Sequence, residues 1–145
     1  MSGTEGRLAA RRRRIESLRR GDRSEGENIV VVGMDIAGSW QRSREAVSES
    51  CSAAPLDAEA PDWTGTAYGQ SVASCIDELQ TVALESGMVA AVSDADGRLL
   101  WTGCSRGMRT RAERVHFVPG GRWDERSVGT NALALALRYR RPASV

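Results

Sequence analysis

Few side chains in this sequence are equipped for chemistry. It has one histidine, His116, and three cysteines, Cys51, Cys75 and Cys104. A single imidazole excludes a two-histidine acid/base dyad or a multi-histidine metal site within one chain. Between Val115 and Phe117 it reads as a structural residue. The cysteines stand 24 and 29 positions apart, which fits neither paired metal-ligand spacing nor an even disulfide framework. Cys104, with Arg106 and Arg109 just after it, has the cationic neighbours that favour a reactive thiolate, although a bystander thiol is the simpler reading. Cys75, beside Ile76, reads as small core filler. Asp94 and Asp96 are explained by turn chemistry more readily than by paired acid/base catalysis or calcium binding. No G-x-S-x-G, phosphate-cradling glycine loop or C-x-x-C occurs. The chain is therefore read as non-catalytic, with no metal and no cofactor.

The tetrad Gly129-Thr130-Asn131-Ala132 raises a different question. It falls inside GRWDERSVGTNALALALRYRRP, a run with helical apolar spacing. Glycine in a helix interior costs about 0.5–1 kcal/mol relative to alanine, so something must favour it there. Thr130 and Asn131 carry hydroxyl and amide groups that need partners if buried. Either they orient a ligand at a pocket wall or they fasten the helix start to the preceding loop, and for any single residue the second reading is preferred. Trp101 and Trp123 are aromatic anchors that pack a core or line a cavity.

The elements that must position these groups follow from composition and spacing. A length of 145 residues holds one core, and the formal net charge of +1 argues against attraction to nucleic acid over the whole surface. All 20 basic residues are arginine, a bias explained by a GC-rich genome and given no functional weight. Residues 1–28 read as a disordered basic arm, with eight arginines against four acids up to Glu25. No leader sequence is read at the start, and the longest apolar run, Ile29 to Met34, falls far short of the roughly 20 residues a bilayer span requires. A cytoplasmic protein without membrane contact is expected.

Residues 29–61 are expected to supply an N-terminal helix, from about Asp35 to Ser48, and then a serine-, alanine- and proline-rich linker up to Pro61. Within 62–145, Val72, Ile76, Leu79 and Ala83 recur at helical spacing, predicting a helix over Ser71 to Ser86 with Gly87 closing it and one face on a sheet. Gly87 to Gly103 predicts a β-hairpin turning at Asp94-Ala95-Asp96-Gly97. Its first strand, apolar on both faces, is expected to be central. A short exposed helix is predicted over Arg106 to Arg114, and a turn at Phe117 to Gly121. The last helix, capped by Asp124 or Ser127, should be buried between layers and stop at Pro142, with Ala143 to Val145 free to start a strand.

Three segments together resemble the GAF-type sensor domain of bacterial transcriptional regulators related to the acetoin-catabolism activators. They are Ile36-Ala37-Gly38-Ser39-Trp40-Gln41-Arg42-Ser43, the hairpin Val92 to Trp101, and Phe117 to Trp123 with Ser127 to Ala132. The last is the most specific, and the likeness runs from about residue 36 to the end. The resemblance implies an α+β fold, with an antiparallel sheet, packing helices and a small-molecule cavity between the sheet and crossing segments. A complete domain of this type continues past the position of Val145, so the sheet is expected to be incomplete and 62–145 a partial domain. The implied role is non-catalytic sensing of a small organic metabolite, with Trp101, Phe117, Trp123, Gly129, Thr130 and Asn131 as ligand-binding residues. The implied partners are a second copy, through the N-terminal helices, and DNA only indirectly, through a region absent from this chain. The alternatives are a cysteine-dependent reductase on the same fold, or a truncated fragment with an interaction role only.

Overall fold

The structure is a computed structural model and describes residues 33–48 and 50–145; the expected basic arm, 1–28, lies outside them. The described residues form an α+β fold with helices α1 (Met34–Ser43), α2 (Ala67–Ser86), α3 (Arg106–Arg114), α4 (Glu125–Val128) and α5 (Ala132–Tyr139) and strands β1 (Val89–Ser93) and β2 (Leu99–Cys104). The sheet is incomplete. Among the described residues β1 pairs with β2 alone, antiparallel, so β1 is not the central strand its apolar composition predicts. The hairpin turn is built as its residues dictate. Asp94 Oδ1 accepts from the backbone N–H groups of Asp96 and Arg98, both at 2.9 Å, and Gly97 takes φ 81°.

Helix α2 starts four residues earlier than its apolar stripe suggests, because Thr66 caps it by accepting from Gly69 N–H at 3.0 Å. Gly87, at φ 66°, ends it in the left-handed conformation. Its stripe packs on both strands, with Ala83 buried, whereas Cys75 is exposed and does not fill the core. Helix α1 stops at Ser43, not Ser48. Ser43 Oγ donates back to Ser39 O at 2.7 Å, and the serines that follow bond each other, Ser48 Oγ lying 2.8 Å from Ser50 Oγ. Such local bonds compete with a continuing helix.

The segment expected as a linker is bonded into the fold. Ala54 is buried and donates its N–H to Val115 O, while Asp57 N–H donates to Gly120 O and Arg122 N–H to Pro55 O. Gly120 and Gly121 in turn bond the backbone of Leu99 on β2. Residues 120–122 and 54–57 thus continue the ribbon sideways from β2 by isolated bridges, where no regular strand forms. Arg98 Nε lies 2.6 Å from Asp57 Oδ2, an ion pair outside hydrogen-bond alignment. His116 is structural here: its Nδ1 donates to Ala54 O at 2.7 Å.

The last expected helix is two helices. Asp124 caps α4, Gly129 turns the chain at φ 78°, ψ −157°, and Asn131 caps α5 by accepting from Ala134 N–H at 2.9 Å. Glycine therefore stands between helices, in a region essentially closed to other residues. Only Ala134 and Leu135 of α5 are fully buried, and α5 packs on α1 instead of lying between layers. Residues 143–145 form no strand.

Candidate functional site

A cleft of about 280 Å³ opens where the end of β2 meets the α3 crossing. Gln80 of α2 forms one side, Thr102 to Cys104 the floor, and Arg109, Ala112 and Glu113 of α3 with Phe117 to Pro119 the other side. The volume is at the small end for ligand sites, which suits a compact molecule. Arginine, glutamate, glutamine and threonine give the walls both donors and acceptors, while Phe117 and Pro119 give apolar surface. Among the described residues neither Arg109 nor Glu113 is in an ion pair. Gly103 has no space for a Cβ, because Gln80 Oε1 and the Trp101 indole edge already occupy that position. Substituting it would displace Gln80 or Trp101.

Of the six residues expected to bind ligand, Phe117 alone lines this cleft. Trp101 covers Gly103 beneath it. Trp123 stands behind Phe117, edge to face, with ring centroids 4.7 Å apart, and its indole N–H donates to His116 O at 3.1 Å. Asn131 reaches the same tryptophan: its Nδ2 donates to Trp123 O at 3.1 Å and to Gly129 O at 2.9 Å. Thr130 Oγ1 donates to Ser39 Oγ at 2.8 Å, and Gly129 packs beside Ser43. The Gly-Thr-Asn polar groups are thus engaged with the protein's own groups.

For Thr130 and Gly129 those partners lie on α1, whereas Asn131 bonds the neighbouring loop. Arg42 holds Glu125 through two parallel bonds, Nε to Oε2 at 3.1 Å and Nη2 to Oε1 at 2.8 Å, while Arg138 approaches to 3.8 Å. Burial works against the Glu125 charge, but the Arg42 guanidinium, with Ser39 and Arg138, outweighs it and holds the carboxyl below the usual glutamate range. The Glu125 hydrogen bond likewise raises Arg42. Arg141 and Asp35 form a further ion pair between the chain end and α1. Sequence reasoning found both segments but not that they meet; pairing Ser39, Arg42 and Ser43 with Thr130, Glu125 and Gly129 requires a contact more than 80 residues long-range. It also passed over Gln80 and Glu113, which carry no local signal beyond being polar on helices.

Among the described residues no three histidine, cysteine or acidic side chains cluster as a metal site, and no helix is long and apolar enough to cross a membrane. The three cysteines are unbridged; Cys104 is half-buried in the cleft. No family model and no solved structure matches the chain. Over 55 residues, 38% of this chain and 13% of the relative, it is 46% identical to an uncharacterized 47.3 kDa protein in the thcA 5′ region of Rhodococcus erythropolis. Over 70 residues, 48% of this chain and 12% of the relative, it is 33% identical to the acetoin dehydrogenase operon transcriptional activator AcoR of Bacillus subtilis. The chain thus matches about an eighth of the length of these relatives, and over that part it is related to a bacterial transcriptional regulator.

Proposed function

We propose that this chain is a non-catalytic, GAF-like sensing part of a transcriptional regulator and that its cleft binds a small organic metabolite. The observation that carries the reading is the cleft itself, with polar and apolar groups converging from α2, β2 and α3 in a chain related to a transcriptional activator. Contact with DNA belongs, in this reading, to a region outside the sequence. A thermal-shift screen of small organic acids, alcohols and ketones tests it. At least one compound raises the unfolding midpoint, and the shift disappears in Thr102→Trp, which fills the floor of the cleft. A screen without any shift, or a shift that survives Thr102→Trp, counts against the proposal.

A further inference from the structure

The cleft and the docking of α1 are joined by one run of directional contacts. Phe117 lines the cleft and meets the Trp123 ring edge to face. Trp123 is held by its indole N–H on His116 O, by its backbone N–H on Gly97 O at 2.8 Å, and by Asn131 on its carbonyl. Asn131 at once caps α5 and ties down Gly129 O. The next residue back, Thr130, bonds Ser39 of α1, which is fully buried. Close-packed aromatic contacts and short hydrogen bonds tolerate little displacement before they break, so movement at Phe117 is passed on, not absorbed.

What α1 buries matters equally. Its two buried residues are serines, Ser39 and Ser43, and its ties to the C-terminal segment include the Arg42–Glu125 and Arg141–Asp35 ion pairs. Apolar burial falls off gradually with separation, whereas hydrogen bonds weaken steeply once distance and angle are lost. The polar ties of α1, unlike its partly buried apolar side chains, are therefore the ones that a small shift can release.

The geometry points to α1 as the output element of the cleft: an occupant that presses on Phe117 shifts Trp123 together with the carbonyl that Asn131 holds, breaks the Thr130–Ser39 bond and frees α1 from α4 and α5. This rests on the reading of the cleft as the ligand site. The test uses the full 145-residue chain carrying Cys51→Ser and Cys75→Ser, so that Cys104 is the sole thiol, and iodoacetamide as the probe that fills the cleft covalently. Amide hydrogen exchange is then followed in α1, α2 and β1. Alkylation speeds α1 exchange about tenfold, a typical size for coupling between two sites, and changes α2 and β1, which flank the cleft, far less. In Thr130→Val, where the bond to Ser39 is already absent, α1 exchanges fast before alkylation and gains little from it. A labelled protein with unchanged α1 exchange, or with exchange raised equally in all three elements, overturns the coupling and leaves the cleft standing. A folded protein whose Cys104 iodoacetamide cannot reach removes the cleft reading and the coupling with it.

Discussion

Asn131 commits its whole side chain to the fold: two donations from Nδ2, to Trp123 O and Gly129 O, and one bond accepted by Oδ1 from Ala134 N–H. Replacing it with alanine removes a helix cap and leaves two carbonyls without their donor, at a cost of about 1–2 kcal/mol for the cap alone. Asn131→Asp keeps the cap acceptor but sets a carboxylate against those carbonyls. Urea unfolding should therefore place both variants below the parent protein, and an aspartate variant as stable as the parent would mean that only the cap matters. Gly129 carries the complementary constraint. A Cβ there would find Ser43 at a comfortable 3.7 Å, so space is available, and it is the φ 78°, ψ −157° backbone that requires glycine. The tetrad was legible as special from its composition. Its break was hidden because Val128 and Ala132 keep helical spacing across it.

At the scale of elements, the hairpin, α2 and α3 were legible because each is specified locally. Turn residues, a terminal glycine and an apolar stripe suffice for them. The ends of α1 and the bonding of residues 54–57 to 120–122 were not legible. The first depends on buried serines, and the second on bridges between segments more than 60 residues apart with no alternating pattern. The joint between α1 and α4 is similarly long-range, and it makes a pH prediction. The folded pKa of Glu125 lies below its unfolded value of about 4.3, so the ion pair contributes fully above that value. Its contribution is lost as pH falls through the lower folded pKa. Exchange of α1 amides, corrected for the intrinsic acid dependence, should accelerate over that acid window in the parent protein. In Glu125→Gln it should already be raised at neutral pH and show no such step. A parent profile matching that of Glu125→Gln would show that the pair does not hold α1.

At the scale of the whole molecule, buried apolar side chains among the described residues are few: two groups stand out, and Ala54 and Ala112 are buried beside the crossing segment. Val92, Leu99 and Leu100 of the hairpin with Ala83 of α2 make up one group, while Ala134 and Leu135 lie in α5, the helix that packs on α1. Between them runs the crossing segment around residues 115–124, bonded to β2 through Gly120 and Gly121 and to Asn131 through Trp123. Leu99 and Leu135, at 0% and 2% exposure, are the largest fully buried side chains of their groups, so truncating either to alanine costs about 2–5 kcal/mol. If the crossing segment makes the groups one cooperative unit, each substitution lowers a single unfolding transition, and far-UV circular dichroism and tryptophan fluorescence report the same midpoint. Independent groups would behave differently. Leu135→Ala would then melt the α1–α5 part early and leave the hairpin signal in place. Coincident transitions are the expected result, because the contacts that would carry a signal from the cleft to α1 are the same ones that bind the two groups together.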